Sequence, residues 1–134
     1  MSICSWIREL SIKAKAQRVY NTIDAGFTYD TELAGTEYPL DYYKKEMRGV
    51  CVHEARLIVD ALRAEGIESK VLCGYVMELP IVGKDRIYHA WPTFNCGSKW
   101  IHMCPGYVIL NITKEIQDVE NHVYIKLPRE ATDE

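Results

Sequence analysis

Apolar side chains recur every three or four residues in two parts of the chain, which is typical of helices that bury one face. The first pattern predicts an amphipathic helix over about residues 3–21, with Trp6 on its buried face. The second predicts a helix over about residues 51–65 that begins at Cys51 and ends at Gly66, where glycine accommodates a left-handed cap. Four polar residues of this second helix fall largely outside its apolar face: Glu54, Arg56, Asp60 and Arg63.

After Gly66 the apolar residues alternate with a period of two, which is the pattern of half-buried strands. Residues 83–85 and 95–98 carry turn chemistry, and short connections between strands imply antiparallel pairing. Upstream, residues 27–30 are interpreted as a turn or a short strand, and residues 41–47 as one or two helical turns. Helices followed by strands predict an α+β domain, with N-terminal helices packed on an antiparallel β-sheet. The predicted strands cover residues 70–77, 87–94, 100–103, 107–112 and 122–127.

Length and composition fit one globular domain. The chain has 134 residues, of which 48% are hydrophobic, and we expect a single domain over residues 1–128 followed by a flexible acidic tail over residues 129–134. The net charge of -3 is scattered without a basic patch, so nucleic acid is not an expected partner. No apolar run reaches the roughly 18 residues of a membrane span, and no secretion signal is recognised, so we expect a soluble chain with no membrane partner. Five cysteines without a Cys-x-x-Cys pair indicate reduced thiols and a cytoplasmic location.

The stretch Gly49-Val50-Cys51 raises the question of whether Cys51 is a nucleophile, a metal ligand or a buried core thiol. A thiol at a helix N-terminus lies among unpaired backbone N–H groups and the positive end of the helix dipole, which favour the reactive thiolate. Gly49 has no Cβ and would let a substrate carbonyl approach, and the backbone N–H of Cys51 could donate to an oxyanion. The alternative is that Cys51 is simply buried, as free cysteines often are.

A thiolate nucleophile needs a base, and histidine titrates in the appropriate range. His89 lies on a predicted strand, which would hold a base rigidly. His53 follows Cys51 by two residues on a helix and therefore points to a different side. His102 lies on a later strand, and His122 begins the last one. All four histidines are therefore candidates at this point, and for His89 the alternative is a core or interfacial histidine.

Zinc binding is an alternative role for the cysteine and histidine side chains. Cys51 with His53, and His102 with Cys104, would offer soft ligands to the metal. However, Cys51 and His53 do not share a helix face, and no recognised zinc spacing occurs. We therefore expect neither a metal nor another cofactor.

Several short pieces, taken in order, resemble the transglutaminase-like superfamily of papain-type cysteine enzymes, in the small single-domain form of bacterial and viral members. These pieces are Gly49-x-Cys51, the helix end and strand LRAEGIESKVLCGYV, the strand His89-Ala90-Trp91, and Trp100, and together they cover about residues 49–105. The resemblance implies a papain-like core with the nucleophile at a helix N-terminus. It makes Cys51 the nucleophile and His89 the base, and it would let Trp91 flank the site.

The sequence departs from this family at the third catalytic position. Where the family has an Asp just before a Pro, a few residues beyond the Trp of the strand, this chain has Cys104 before Pro105. A neutral thiol accepts only a weak hydrogen bond and cannot stabilise an imidazolium as a carboxylate does. The site then works as a Cys51–His89 dyad, or another residue orients His89, or activity has been lost. Candidates for another orienting residue are Asn95, His102 and Asp85.

The predicted function is cysteine-dependent acyl transfer at an amide or related bond, through a thioester on Cys51 that passes to water or to an amine. Protease, amidase or deamidase activity is favoured over cross-linking because the domain is small and has no visible accessory module. The expected partner is a protein or peptide substrate, whose groove would be lined by Gly49, Tyr42, Tyr43 and Trp91. The alternative is a binding module of the same fold that has lost catalysis.

Overall fold

The computed structural model describes residues 2–127, so the predicted acidic tail lies outside the described residues. The helices of that range precede most of its strands, as the sequence pattern predicts. In chain order the elements are α1 Ile3–Gly26, β1 Thr28–Tyr29, a 3-10 turn Thr31–Leu33, α2 Leu40–Glu46, β2 Arg48–Gly49, α3 Cys51–Ala64, β3 Ser69–Glu78, β4 Ile87–Asn95, β5 Trp100–His102, β6 Tyr107–Asp118 and β7 Val123–Lys126.

Five strands of the described chain form one sheet in the order β5-β4-β3-β6-β7, and every neighbouring pair is antiparallel. β3 is the central strand of this sheet, and most of its residues are accordingly buried rather than alternately exposed. The predicted antiparallel sheet is therefore confirmed. A short parallel sheet of β1 and β2 was not predicted; it pairs Tyr29 with Gly49 and so holds the chain two residues before Cys51.

Helix α3 packs on the sheet through one apolar face and on α1 through another. Ala55 and Val59 belong to the cluster that reaches Val71 of β3 and Ala90 of β4. On the other side, α3 joins a second cluster, whose fully buried members include Ile58, Leu62 and Ala16 of α1. Each fully buried aliphatic side chain of this kind contributes about 1.5–3 kcal/mol to folding. The helix is thus fixed on two sides, and its first residue is fixed with it.

Arg56 falls outside the apolar face in the helical pattern, yet its side chain is buried and has no solvent exposure. Its Nε donates to the carbonyl oxygen of Val119 at 2.8 Å, and its terminal nitrogens donate to the carbonyl oxygens of Tyr38 and Glu120 at 3.3 Å. The guanidinium also lies 5.2 Å from the centre of the Tyr43 ring. These contacts satisfy a buried charge and tie α3 to the segment before α2 and to the connection between β6 and β7.

The prediction that Trp6 lies in the core is wrong, because 56% of its surface is exposed. The helical period is correct, since α1 forms. However, the first turns of α1 extend beyond the part of the helix that the rest of the domain covers. Its apolar residues that pack on the core all lie further along: Ile12, Ala16, Val19, Tyr20 and Ile23. An amphipathic pattern thus identified the helix without showing which part of it is covered.

Gly74 is predicted to be essential for the pairing of β3 with β6. A Cβ at this position would overlap the backbone oxygen of Asn111, beside a register shift between the two strands. Gly74→Ala should lower the free energy of unfolding by at least about 2 kcal/mol, because backbone rather than a flexible side chain must move. Urea unfolding checks this.

Gly26→Ala is the matched control, because a Cβ there would make only an ordinary contact, 3.6 Å from Met47 Cε. It should change the free energy of unfolding by less than about 0.5 kcal/mol. Equal effects of the two substitutions would contradict the steric argument.

Candidate active site

Cys51 is the first residue of α3, as the sequence predicts. The backbone N–H groups of Cys51 and Val52 from the helix start, and that of Ala90 from β4, are directed at its sulfur. Such donors stabilise a thiolate. The sulfur therefore lies between the beginning of a helix and the middle of a strand, and it is partly buried.

The start of α3 is held by His53, whose side chain has no solvent exposure. The backbone N–H of Val50 donates to His53 Nδ1 at 3.0 Å, so that Nε2 carries the proton and donates to the carbonyl oxygen of Thr36 at 2.9 Å. The imidazole stacks on Tyr43 at 4.1 Å between ring centres. Since both ring nitrogens are bonded, His53 is a structural residue.

The same packing explains Gly49. A Cβ at this position would overlap the ring and Cβ of His53, so glycine is needed for the histidine to cover the chain before α3. Gly49 is not among the residues that line the cavity around Cys51. The space beside Gly49, which was expected to admit a substrate carbonyl, is thus occupied by the side chain of His53.

Burial opposes ionisation of the thiol. It raises the pKa of Cys51 above its ordinary value, the surrounding N–H donors lower it by less, and the charge of Glu54 raises it further. Burial therefore opposes the effect expected of a helix N-terminus on the pKa of this cysteine. Cys51 rests as a neutral thiol near neutral pH.

His89 lies on β4, next to the residue whose N–H faces the sulfur. Burial lowers the pKa of its imidazole, and no charged partner opposes that effect. Its ring lies 4.6 Å from the ring of Tyr107 and 6.2 Å from that of Trp91. Within residues 2–127 its ring nitrogens form no hydrogen bond, so His89 is neutral and free to accept a proton.

Cys51 and His89 open into the same cavity, which has a volume of about 250 Å³. The walls come from α1, α3, β4 and the segment between β5 and β6. The side chains that could take part in chemistry there are Asp24, Cys51, Glu54, His89, Trp91 and Cys104. The fold thus brings the predicted nucleophile, base and third position to one concave surface.

Cys104 lies in the segment that joins β5 to β6 and lines this cavity. Burial raises its pKa to about 11, and the nearby Cys51 adds to the shift. The side chain at the third position is therefore an uncharged thiol. It supplies no negative charge that could stabilise a protonated His89.

The other predicted orienting residues point elsewhere. Asn95 lies outside the cavity, where its Nδ2 donates to Glu68 Oε1 at 3.0 Å. His102 accepts hydrogen bonds at Nδ1 from Trp91 Nε1 at 3.1 Å and from Thr93 Oγ1 at 2.7 Å. Asp85 is exposed in the connection between β3 and β4.

Of the predicted groove residues, Trp91 lines the cavity and is 1% exposed. Tyr43 is fully buried, and its hydroxyl oxygen lies 2.8 Å from Thr36 Oγ1. Tyr42 packs against Tyr38, at 4.6 Å between ring centres. Neither Tyr42 nor Tyr43 reaches the cavity, since both belong to the aromatic group that covers the start of α3.

Sequence reasoning missed two carboxyl groups of the cavity, Asp24 and Glu54. Glu54 follows Cys51 by three residues on α3, a spacing that places both on one face and could have identified it. Asp24 comes from α1, and nothing in the sequence joins it to Glu54. Burial raises the pKa of Glu54 from its ordinary 4.5 to about 8, and a hydrogen bond to Asp24 and the charge of Asp24 contribute to the same shift.

Residues 2–127 contain no group of three or more His, Cys, Asp or Glu side chains that could hold a metal ion. No helix of that range has both the length and the apolar character needed to cross a membrane.

The fold and the cavity define an α+β domain of the papain-like type, in which a helix begins at a cysteine and packs on an antiparallel sheet. A family model of the transglutaminase-like superfamily matches residues 5–105, and the chain belongs to this family. No curated protein matches the chain significantly.

Among solved structures, the chain is similar to a candidate cysteine protease from Cytophaga hutchinsonii, with a TM-score of 0.61 and 20% identity. The alignment covers 86% of this chain and 41% of that protein, so the chain spans about two fifths of its relative's length. At this identity the likeness shows a shared fold.

The raised pKa of Glu54 makes the stability of the domain depend on pH. The folded protein binds this proton more tightly than the unfolded chain does, so the contribution is fully present below about pH 4.5 and is lost as the pH rises through about 8. Glu54→Gln removes the titration. Its free energy of unfolding should therefore increase relative to the unsubstituted protein as the pH is raised from 5 to 9, as measured by urea unfolding at each pH.

Glu65→Gln serves as the control, because it makes the same change of charge at the exposed end of α3. It should leave the slope of stability against pH nearly unchanged. A difference between Glu54→Gln and the unsubstituted protein that stayed constant with pH would refute the interpretation.

Proposed function

We propose that the protein is a cysteine-dependent acyl-transfer enzyme that acts on an amide or related acyl bond of a protein or peptide. The observation that carries the proposal is the shared cavity of Cys51, at the N-terminus of α3, and His89 on β4. Membership of the transglutaminase-like superfamily supports it, because the matched residues include both side chains.

In the proposed reaction, His89 takes the proton from Cys51 and the thiolate attacks the acyl carbon. In this proposal the backbone N–H of Cys51 donates to the oxyanion that forms. The tetrahedral intermediate collapses to a thioester as His89 gives its proton to the departing amine. A water or a second amine then attacks the thioester and restores the thiol of Cys51.

The protonation states of Cys51 and His89 suit the proposed proton transfer. Burial holds Cys51 as a neutral thiol and His89 as a neutral imidazole, so the acid and the base are present together before substrate binds. Neither step needs a metal or a cofactor. Without a carboxylate at position 104, the pair acts as a dyad, and the cost of forming the imidazolium is greater than in a triad.

Hydrolysis is favoured over cross-linking. The cavity of about 250 Å³ holds one side chain beside the nucleophile, and a water molecule can reach a thioester more easily than a second protein can. The products would be those of a peptidase, an amidase or a glutamine deamidase.

The second candidate function is a binding module of this fold. It is favoured by the neutral Cys104 and by the raised pKa of Cys51, both of which weaken catalysis. The observation against a binding module is His89, which is neutral, lines the cavity and forms no hydrogen bond through its ring nitrogens within residues 2–127.

Cys51→Ala should lower turnover of peptides by at least about a thousandfold, since it removes the atom that forms the thioester. His89→Ala should lower it by about 10² to 10⁴-fold, the usual contribution of a general base. Peptide mixtures incubated with each variant are scanned by mass spectrometry for cleavage, for a gain of about one dalton at glutamine, or for loss of ammonia.

Cys4→Ala is the control, because Cys4 is an exposed thiol on α1. It should leave turnover unchanged. Retained activity in Cys51→Ala would overturn the enzyme proposal, and inactivity of the unsubstituted protein with bound peptide would support the binding module.

Cys104→Asp should increase turnover if position 104 orients His89. The carboxylate would raise the pKa of the imidazole, and the acidic limb of the pH profile of kcat/KM would shift to higher pH. Cys104→Ser, which adds no charge, is the matched control. An unchanged pH profile in Cys104→Asp would show that the third position does not act on His89.

A further inference from the structure

A second and larger cavity adjoins the one around Cys51. It has a volume of about 380 Å³, against about 250 Å³ for the first. We call it the α1–β5 groove, because it lies between one face of α1 and the residues of β5 and the segment that follows. The two cavities share Tyr20 and residues 103–105 as walls. A peptide whose reacting amide lies at Cys51 can therefore extend into the groove.

Lys13 supplies a positive charge to the α1–β5 groove. Its side chain is partly buried at the wall, and it forms no ion pair or hydrogen bond within residues 2–127. Lys13, Gln17 and Tyr20 recur at helical spacing, so one face of α1 presents them together. None of the described residues that line the groove is an aspartate or a glutamate. The charge of Lys13 is thus available to a ligand.

His102 adds a hydrogen-bond donor in a fixed tautomer. The indole N–H of Trp91 can only donate, and it bonds to Nδ1 of His102 at 3.1 Å, while Thr93 Oγ1 lies 2.7 Å from the same atom. Nδ1 therefore accepts, and the proton of the neutral ring is on Nε2. This nitrogen lies on the ring edge away from β4 and has no hydrogen-bond partner within residues 2–127. His102 can thus donate to a ligand in the groove.

The remaining walls of the groove are mostly apolar. Phe94 and Met103 are buried, and Ile101 is partly buried. Walls of this kind cover the methylene groups of a ligand, while the few polar groups around them select its polar end. One cation and one N–H donor, without an acid beside them, suit a carboxylate on a short aliphatic stem.

The cavity around Cys51 does not suit the same group. Asp24 and Glu54 line it, and no lysine or arginine does so among the described residues. The proton that Glu54 keeps up to about pH 8 shows that a second negative charge is unfavourable there. The two cavities therefore differ in what they bind, and an acidic side chain of a peptide is directed to the groove.

We propose that the α1–β5 groove is a subsite for an acidic residue of a peptide substrate, whose carboxylate is bound by Nζ of Lys13 and Nε2 of His102. The inference rests on the proposed function, since it names a residue that flanks the amide attacked by Cys51. Lys13 and His102 are specificity residues in this arrangement and touch no reacting atom. Peptides with a glutamate beside the reacting bond are preferred to those with a glutamine or a lysine there.

The test uses affinity labels that react with Cys51 and need no turnover. N-chloroacetyl-glutamate α-amide carries the carboxylate, N-chloroacetyl-glutamine α-amide is its neutral isostere, and N-chloroacetyl-lysine α-amide has the opposite charge. In each reaction the sulfur bonds to the methylene carbon as chloride leaves, and the thiol proton passes to solvent. Peptide mapping by mass spectrometry gives the labelling rate of Cys51, normalised to that of the exposed Cys4.

The glutamate label should react with Cys51 about five- to tenfold faster than the glutamine label, as expected of one partly screened ion pair and one hydrogen bond. Lys13→Met and His102→Asn should each reduce this preference to about twofold. Asparagine at position 102 keeps an oxygen that can accept from Trp91 and removes the Nε2 donor. Lys15→Met is the matched control, because it makes the same change on α1 outside the groove, and it should retain the full preference.

Three results would overturn the proposal: equal labelling of Cys51 by the glutamate and glutamine labels, a preference for the lysine label, or a full glutamate preference in either Lys13→Met or His102→Asn. Slow labelling of Cys51 by every reagent, with the glutamate preference intact, would support the subsite and contradict the activated nucleophile of the proposed function. The failure of the subsite and the failure of the enzyme are therefore distinguishable.

Discussion

The packing of α3 between the sheet and α1 is the constraint on which the site depends. Ile58 and Leu62 face α1, while Ala55 and Val59 face β3 and β4, so the helix can neither rotate nor slide without opening two clusters. The buried guanidinium of Arg56 adds directed hydrogen bonds to this apolar contact. The position of the first residue of the helix, and with it the sulfur atom, follows from these contacts rather than from the loop before it.

The same packing sets the chemistry of the sulfur. A helix N-terminus and the N–H of Ala90 favour the thiolate, but burial in the cavity costs more than these donors return, and the pKa of Cys51 rises. His89 shows the complementary effect, because burial favours its neutral form. A buried cysteine and a buried histidine thus rest uncharged, and in the proposed reaction the proton passes between them once substrate is bound.

The sequence pattern correctly predicted those features that depend on a single helix or strand. The helix predicted over residues 51–65 is observed as Cys51–Ala64, because its apolar period is regular and Gly66 ends it. It failed where the answer depends on residues that are distant along the chain. The burial of Arg56 requires carbonyl groups from before α3 and after β6, and the raised pKa of Glu54 requires Asp24 of α1. Helical periodicity places a side chain on a face but does not show what covers that face.

The distribution of negative charge separates this site from a triad. A carboxylate at position 104 would act on the imidazole, whereas the uncharged Cys104 does not. The carboxyl groups of the cavity belong instead to Asp24 and Glu54, and burial together with this pairing keeps the proton on Glu54 up to about pH 8. A charge beside the imidazole would stabilise the ion pair that follows proton transfer, whereas a charge on Glu54 opposes ionisation of the sulfur. The absence of an acid at position 104 and the presence of the carboxyl pair therefore act in the same direction, because neither favours the charged forms of Cys51 and His89.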